Sequence, residues 1–277
     1  MKNNTRRDFI KSSAAIGSFF ILPSGLRAKS PNSKICTAHI GTGGKGRIDT
    51  VYLAKHDNVE VIGLCDVDYA HGKIDTWSKQ FKSATAFQDY REMLAKLDDK
   101  IDAVSISTPD HTHYPATMDA MERGKHIYLQ KPLTHKLKEA RQLAEFAAEK
   151  GLTTQMGIQN QSREAYRLAR HYIQDGLIGK ISKVYVWSFK TWGYDGEPFK
   201  EKSEVPDTLD WNLWLGTAPV HDYASKVYHP GQWRKLLDFG CGTLGDMGIH
   251  IFDTPFKALE LKDPKWVEAE CREPNGF

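Results

Sequence analysis

The sequence has no long hydrophobic run, no paired cysteines and no excess of charge of one sign. Its four cysteines share no paired spacing, so nothing demands a disulfide, although an oxidising compartment would permit one. They are Cys36, Cys65, Cys241 and Cys271. The 38 basic and 35 acidic residues leave a formal charge of +3 and form no basic stripe, which argues against a nucleic acid partner. What remains is an ordinary globular composition over 277 residues, enough for one large or two modest domains.

Residues 1–30 differ from the rest of the chain. The pair Arg6-Arg7 precedes the small and apolar segment Ser12–Leu22, a pattern typical of a twin-arginine (Tat) export signal. The segment is too short to span a membrane, so we expect no stable membrane insertion. The alternative is an amphipathic helix that begins the fold. We interpret residues 1–30 as a Tat signal, with cleavage near Ala28 despite a poor local pattern, and expect an exported, periplasmic protein that engages the Tat machinery.

A glycine-rich turn between two apolar segments is the most informative feature of the sequence. Ile35–Ile40 leads into the turn Gly41–Gly46, and a helix-compatible stretch then leads to Val59–Leu64 and Asp66. A strand, a glycine-rich turn, a helix, a strand and an acidic residue, in that order, are the dinucleotide-binding fingerprint. The competing interpretation is a glycine-rich surface turn, which a GxGxxG match alone would not exclude. The flanking segments and Asp66 favour nucleotide binding.

Each glycine of this turn has its own physical reason. Gly41 permits the tight turn, Gly43 lets the backbone approach the pyrophosphate, and Gly46 lets the helix pack against the strand. The free N–H groups and partial positive charge of the helix N-terminus attract the phosphates. The predicted cofactor-binding residues of the turn are Gly41, Gly43, Gly44, Lys45 and Gly46.

Asp66 bears on which dinucleotide binds. A carboxylate at this position accepts the ribose hydroxyls of NAD and repels the 2′-phosphate of NADP. Asp68 takes the same role if the strand ends later, and Lys45 and Arg47 soften the repulsion, so we predict NAD, with NADP less favoured. Because Tat substrates cross the membrane folded, we also expect the NAD to be loaded before export and held tightly.

Strands alternate with helices from Lys34 to about Met156, which predicts a doubly wound α/β sheet in a Rossmann domain over residues 31–157. Buried parallel strands are predicted at Ile35–Ile40, Val59–Leu64, Ala103–Ser107 and Ile127–Leu129, with a weaker strand near Ala84–Phe87. The clearest helices are Tyr114–Arg123 and Leu137–Lys150, and Gly124 and Gly151 follow them as C-terminal stops.

The pattern changes after Gly157, and we assign residues 158–277 to a second domain. A helix is predicted over Ser162–Asp175, and Ile181–Phe189 alternates like a strand. An irregular, aromatic-rich segment follows, in which the aromatics serve either as core anchors or as a platform for carbohydrate rings. Trp266–Cys271 also resembles a strand.

Three separated motifs carry chemistry. The predicted strand ending at Ser107 leads into Thr108–His113, and the next strand leads into Gln130-Lys131-Pro132. Far along the chain, Asp246 and His250 are spaced as neighbours on one helix face. Together with the glycine turn and Leu209–Gly216, these segments resemble, in order, the glucose–fructose oxidoreductase / inositol dehydrogenase / MocA (Gfo/Idh/MocA) family. The resemblance covers nearly everything after the signal.

The resemblance implies an N-terminal nucleotide-binding domain and a C-terminal α/β domain with an open, mostly antiparallel sheet. It also implies that Lys131 and His250 are catalytic, with Asp246 beside them, and that the Thr108–His113 loop lines the nicotinamide. The further predicted cofactor-binding residues are Thr108, Pro109, His111, His113, Gln130 and Lys131. The predicted substrate-binding residues are Tyr228, Trp233, Arg234, Asp246 and His250.

The chemistry of alcohol oxidation suits these residue types independently. His250 is a base for the hydroxyl proton, because its ordinary pKa lies near neutrality, and Lys131 stabilises the developing alkoxide. Asp246 binds substrate hydroxyls or orients the imidazole. The alternatives are a surface lysine, a capping histidine and a solvated carboxylate. The triplet formed by His111, His113 and His135 lacks the carboxylate or cysteine company of a metal site, so we predict no metal.

Two departures from the family pattern stand out. Members usually have Glu-Lys-Pro where this chain has Gln130-Lys131-Pro132, and loss of that negative charge predicts a lysine that releases its proton more readily. Members also usually continue further and complete the second sheet, so we expect the sequence to be a fragment.

The leading functional hypothesis is an exported NAD-dependent oxidoreductase that acts on a sugar or polyol and assembles as a homo-oligomer. The alternative is an NAD-dependent glycosidase similar to α-N-acetylgalactosaminidases, which oxidise C3 transiently. Such an enzyme needs an additional acid or base, for which Tyr223, Tyr228 and His229 are candidates. A third hypothesis, a nucleotide sensor without catalysis, is disfavoured because both Lys131 and His250 are present.

Overall fold

A computed structural model of the chain describes residues 34–193 and 202–270. These residues belong to one compact unit. The predicted export signal and Cys271 lie outside the described residues. No helix in the described part of the chain is both long and apolar enough to cross a membrane.

Six parallel strands form one sheet in the order β3-β2-β1-β4-β5-β6. The strands are β1 (Ile35–Ile40), β2 (Val59–Cys65), β3 (Thr85–Phe87), β4 (Ala103–Ile106), β5 (His126–Leu129) and β6 (Thr154–Met156). The order changes direction between β1 and β4, so the crevice expected for a ligand lies outside the carboxyl ends of these two strands. The sheet confirms the predicted Rossmann-like α/β fold.

Helices connect the strands and continue beyond the sheet. They are α1 (Gly44–Leu53), α2 (Ile74–Gln80), α3 (Tyr90–Lys96), α4 (Asp110–Glu122), α5 (Leu137–Lys150), α6 (Glu164–Gln174), α7 (Trp211–Leu215), α8 (Gly242–Ile251) and α9 (Asp253–Ala258). Two short 3₁₀ turns lie at Gln159–Ser162 and Gln232–Lys235. Helix α5 has the predicted bounds, and Gly124 and Gly151 adopt the left-handed conformation that ends a helix, with φ of +74° and +65°.

Helix α4 begins four residues before the predicted start at Tyr114. The polar sequence Asp110-His111-Thr112-His113 suggested a loop, but Asp110, His111 and His113 are each less than a tenth exposed. Tertiary burial of these side chains therefore extends the helix back to Pro109, whose fixed φ suits a position just before the first turn.

The aromatic-rich segment forms a hydrophobic core of its own. Trp214, Tyr228, Trp233 and Phe239 are each less than a tenth exposed and belong to one cluster, and the Trp211 and Trp214 rings stack with centroids 4.7 Å apart. Of the two uses left open by the sequence, core anchoring is the one that the structure shows for most of these residues.

The strand predicted over Ile181–Phe189 is wrong. These residues form no hydrogen-bonded ladder, and Tyr185, Trp187 and Phe189 are 70%, 69% and 92% exposed. An alternating pattern becomes a strand only beside a partner strand, and the described residues from 158 onward contain helices but no strand. The segment from Trp266 has no strand either within the described residues, and Trp266 is 76% exposed.

Candidate active site

The glycine turn between β1 and α1 has the geometry that its sequence predicts. Gly41 has φ +78°, and a Cβ there would lie 2.8 Å from the carbonyl oxygen of Ser107. A Cβ on Gly46 would lie 1.8 Å from the carbonyl oxygen of Gly41, so α1 packs against the turn only because residue 46 is glycine. The N-terminus of α1 is thereby fixed at the switch point of the sheet.

Asp66 is hydrogen-bonded to the glycine turn. Its Oδ2 accepts from the amides of Thr42 at 2.8 Å and Gly43 at 3.1 Å, and its Oδ1 accepts from the amide of Asp68 at 3.0 Å. Burial raises the pKa of Asp66, although these amides and the nearby His71 oppose the increase. The carboxylate predicted to bind the ribose therefore also sets the shape of the glycine turn.

Asp49, on the inner face of α1, is a site residue that sequence reasoning missed. Its Oδ1 lies 2.6 Å from Lys45 Nζ, while its Oδ2 accepts from Ser107 Oγ at 3.0 Å and Gln130 Nε2 at 2.8 Å. The Asp49 residue is 5% exposed. The sequence did contain a signal for it, because Asp49 lies one turn after Lys45 on the face of the helix that must pack on the sheet.

Lys131 and Asp246 form a short ion pair across the cavity. Lys131 Nζ lies 2.5 Å from Asp246 Oδ1 and 3.1 Å from its carbonyl oxygen, and the two side chains are 13% and 10% exposed. Trp192 Nε1 donates to Asp246 Oδ2 at 2.6 Å, and Arg234 Nε lies 3.5 Å from Oδ1. Burial raises the pKa of Asp246, but the hydrogen bond and charge of Lys131, with Arg234 and Trp192, outweigh it and hold this pKa below its usual value.

This arrangement changes the interpretation of two predictions. Asp246 is paired with Lys131, whereas the sequence suggested that it binds substrate hydroxyls or orients the imidazole of His250. The structure also gives Lys131 a carboxylate partner that the argument from Gln130 did not include. That argument, a lysine prone to release its proton, stays a prediction.

His250 lies on α8 one turn after Asp246. Its Nδ1 is 3.4 Å from Asn160 Nδ2. Burial lowers the pKa of His250, and the charge of Lys131 lowers it further, against opposition from Asp246 and Asp253. The imidazole is therefore neutral near pH 7 and able to accept a proton. Asn160, just before α6, is a second residue that sequence reasoning missed.

One cavity of about 660 Å³ brings the glycine turn and these side chains together. Among the predicted residues, those lining it are Gly41, Gly43, Gly44, Lys45, Asp66, Thr108, Pro109, Gln130, Lys131, Trp233, Arg234, Asp246 and His250. Its volume lies within the range of small-molecule sites. The strand ends that hold these residues are the ones at which a doubly wound sheet binds its ligand.

Four predicted site residues do not line this cavity, and three of these are buried side chains. His111 Nε2 lies 3.1 Å from the carbonyl oxygen of Trp214, and burial lowers the pKa of His111 to about 4. His113 has its Nδ1 2.8 Å from the Pro132 carbonyl and its Nε2 2.9 Å from the Thr108 carbonyl. Tyr228 is 6% exposed within the aromatic cluster. These residues support the site from the core, and Gly46, the fourth, serves helix packing.

The described residues include no group of three or more His, Cys, Asp or Glu side chains placed to hold a metal ion. A dinucleotide, in contrast, fits the residues present. The positive φ of Gly41, the close packing of Gly46, the N-terminus of α1 and the carboxylate of Asp66 together provide the elements of a dinucleotide site.

Comparison with known proteins gives two matching models from one family. Residues 35–158 match the model described as "Oxidoreductase family, NAD-binding Rossmann fold", and residues 165–274 match "Oxidoreductase family, C-terminal alpha/beta domain". Together these two ranges cover most of the chain, including all the residues described above as lining the cavity.

Curated relatives extend the comparison. The scyllo-inositol 2-dehydrogenase (NAD(+)) of Bacillus subtilis is 34% identical over 140 residues, covering 50% of this chain and 40% of that protein. The D-glucoside 3-dehydrogenase of Escherichia coli is 22% identical over 252 residues, covering 91% of this chain and 61% of that protein. The chain thus spans about half the length of the curated relatives it matches.

A solved structure shows the same fold. GenD2 from gentamicin A biosynthesis, in complex with NAD, superposes with a TM-score of 0.57 at 20% identity, covering 84% of this chain and 56% of that one.

Proposed function

The chain belongs to the Gfo/Idh/MocA family of oxidoreductases, and from that premise we propose that it binds NAD in the cavity and oxidises a sugar or polyol. The dinucleotide would lie along the glycine turn, with its ribose hydroxyls at Asp66. NAD is preferred over NADP, because the Asp66 carboxylate repels a 2′-phosphate. The names of the relatives, which specify an inositol and a glucoside, support a carbohydrate or polyol as the substrate.

When bound, NAD supplies the acceptor for a hydride from the substrate carbinol. The chain's own residues manage the proton and the charge. Lys131 donates a hydrogen bond to the reacting oxygen and stabilises its negative charge as the proton leaves. Asp246 holds the ammonium in place at 2.5 Å, and Trp192 holds the far oxygen of Asp246 at 2.6 Å.

His250 accepts the hydroxyl proton. Its lowered pKa keeps the imidazole neutral at physiological pH, as a base requires. For Nε2 to take that proton, Nδ1 must carry the other hydrogen. The side-chain oxygen of Asn160 then accepts a hydrogen bond from this Nδ1–H. This orientation of the Asn160 amide is an assignment made on chemistry, since oxygen and nitrogen exchange by a simple flip.

The observation that carries the proposal is the convergence of Lys131, Asp246 and His250 on the cavity that the glycine turn lines. The test combines nucleotide binding with turnover. The purified protein should bind NAD and should reduce it with one member of a panel of sugars and polyols. Lys131→Met should lower kcat at least about a hundredfold with NAD affinity unchanged within a few-fold.

Absence of NAD binding would overturn the proposal, and so would full turnover by Lys131→Met. Nitrophenyl glycosides in the same panel test the glycosidase alternative through phenol release without net NADH. That alternative has less support, because Tyr223 and Tyr228 lie in the aromatic core and only His229 of its three candidates lines the cavity.

Export through the Tat pathway to the periplasm, tight retention of NAD and a homo-oligomeric state are further parts of the proposal. The first is supported by Arg6-Arg7 and the apolar segment after it. Replacing both arginines by lysine should leave the protein in the cytoplasmic fraction, and unchanged secretion would contradict this part.

A further inference from the structure

The turn that follows β2 brings an imidazole against the glycine turn. Thr42 Oγ1 donates to the carbonyl oxygen of Gly72 at 2.8 Å and joins the two turns. A Cβ added to Gly43 would lie 2.3 Å from Cδ2 and 2.7 Å from Nε2 of His71, and one on Gly44 would lie 3.7 Å from the same Nε2. The Nε2 edge of His71 therefore faces the residues at which α1 begins, and all three line the cavity.

A second imidazole, from the C-terminal region, fixes the ring of His71. The rings of His71 and His229 meet edge to face, with centroids 4.8 Å apart and an angle of 78°. His229 Nε2 lies 3.0 Å from Asp68 Oδ2, and 12% and 10% of these two side chains are exposed. Asp68 Oδ1 accepts from the Thr208 hydroxyl at 2.9 Å and from the His71 amide at 3.2 Å. Asp68 belongs to this cluster and does not line the cavity, whereas Asp66 does, which leaves Asp66 as the carboxylate for the ribose.

We propose that His71 binds the pyrophosphate of the dinucleotide and that His229, held by Asp68, positions the His71 ring. This inference rests on the proposed NAD binding and adds a side-chain ligand to the backbone N–H groups of the turn. The pyrophosphate is expected at the N-terminus of α1, which is the surface that His71 faces. An imidazole N–H offers a directional donor to a phosphate oxygen, and the hydrogen bond is strong because the acceptor is charged.

The neighbours of His71 leave its ring N–H available to a ligand. The groups that face it are His229, Asp66 and Asp68. Asp66 is engaged with the amides of the glycine turn and Asp68 with His229 and Thr208. Within the described residues neither carboxylate is hydrogen-bonded to the His71 ring, so the ring N–H is available to a ligand in the cavity.

The test compares ligands with and without phosphate. In protein stripped of bound nucleotide, His71→Ala should weaken binding of NAD and of ADP-ribose about ten- to a hundredfold. Binding of adenosine, which lacks phosphate, should change by less than about twofold. Titration calorimetry measures the first two ligands, and competition measures adenosine.

Two further variants make the comparison specific. His56→Ala is the matched control, because His56 is exposed and lies before β2, at the opposite edge of the sheet. His71→Gln retains an N–H donor and should recover part of the affinity for NAD and ADP-ribose. If thermal unfolding shows that His71→Ala does not fold, His229→Phe replaces it. This variant keeps the ring contact with His71 but loses the bond to Asp68. We expect a smaller loss of affinity, restricted to the ligands that contain phosphate.

The outcomes separate this inference from the proposed function. A parent protein that binds neither NAD nor ADP-ribose overturns both. A parent that binds NAD, with a His71→Ala variant that binds it equally well, overturns the inference alone. An equal loss for adenosine and ADP-ribose also overturns it, because the residue would then act on the shape of the whole pocket.

Discussion

Asp49 joins three parts of the chain at the carboxyl edge of the sheet. It accepts from Lys45 on its own helix, from Ser107 after β4 and from Gln130 after β5. Both its oxygens are used, and the Gln130 amide matches it as a donor. The amide at position 130 therefore donates to the carboxylate at position 49, which a glutamate at position 130 could not do in its ionised form.

This pairing predicts a measurable coupling. Gln130→Glu places a second carboxylate against Asp49 in a buried site and should lower the free energy of unfolding by about 2 kcal/mol. Adding Asp49→Asn restores a donor opposite the new acceptor and should recover at least about 1 kcal/mol of that loss. A double-mutant cycle by urea denaturation measures the coupling, and additive effects of the two changes would contradict the pairing.

Residues in motifs were predictable, and their partners were not. Lys131, Asp246 and His250 stood in short patterns whose chemistry is legible from residue types. Their supporting contacts join positions far apart in the chain: Gln130 and Asp49 are separated by 81 residues, His250 and Asn160 by 90, and Asp246 and Trp192 by 54. Such contacts depend on the packing of elements, which a local pattern does not encode.

At the scale of elements, the buried side chain of His113 on α4 contacts two loops of the site and fixes their relative positions. The two ring nitrogens of His113 contact the carbonyl oxygens of Pro132, beside Lys131, and of Thr108. Burial lowers the pKa of His113, an effect that Asp110 and these carbonyls oppose. The sequence assigned His113 to the cofactor, whereas in the structure it lies in the core and contacts the two loops that contain Thr108 and Pro132.

His113→Phe should therefore weaken the fold and the site together. A neutral imidazole has one N–H, so the variant removes a hydrogen bond to one of these two partly buried carbonyl oxygens, and the free energy of unfolding should fall by about 2 kcal/mol. Denaturant unfolding measures the loss. His171→Phe, at an exposed position on α6, is the control and should change stability by less than about 0.5 kcal/mol. If His113→Phe loses no more free energy of unfolding than His171→Phe, His113 does not stabilise these loops.

Elements with continuous apolar runs were the most predictable. Strands β1, β2, β4 and β5 appear within a residue or so of their predicted bounds, since both faces of a parallel strand are covered by helices. Ile181–Phe189 shows the converse. Its alternation specifies one apolar face, but a strand also needs a neighbour, and that information lies outside the segment.

At the scale of the whole molecule, buried neutral histidines make stability depend on pH. Burial lowers the pKa of His39 to about 4 and that of His111 to about 4, from an ordinary value of 6.5. Between these limits the unfolded chain binds protons that the folded chain does not, so the free energy of unfolding falls as the pH falls from 6.5 towards 4. Each group contributes about 3 kcal/mol across that window.

Replacing one of these histidines should flatten the dependence. His39 lies between the hydroxyls of Thr37 and Thr50, and His39→Asn keeps a polar side chain there while removing the titration. Urea unfolding at a series of pH values should show a shallower slope below pH 6.5 for this variant. His56→Asn, at an exposed position, should retain the slope of the parent. Equal slopes for the parent and His39→Asn would show that His39 is protonated in the folded state.

The Rossmann half of the molecule followed from the sequence, because repeated apolar strands and a glycine turn specify it locally. The second half did not follow in the same way. Its aromatic residues suggested either a ligand platform or a core, and only the mutual packing of Trp211, Trp214 and Phe239 decides for the core. An aromatic-rich segment without helical or strand periodicity does not indicate which other residues its side chains will pack against.

The C-terminal region is also hydrogen-bonded to the turn after β2. Leu209 forms an isolated bridge with Asp68, the amide of Tyr69 donates to Thr208, and the amide of Asp210 donates to Val67. If NAD binds in the cavity as proposed, its release would require these bonds to open together, as a small cooperative unfolding event. If the proposed NAD is held in this way, its exchange would run at the frequency of that event. One NAD molecule would then serve successive catalytic cycles, and each reduction would have to be reversed in place before the next substrate was oxidised.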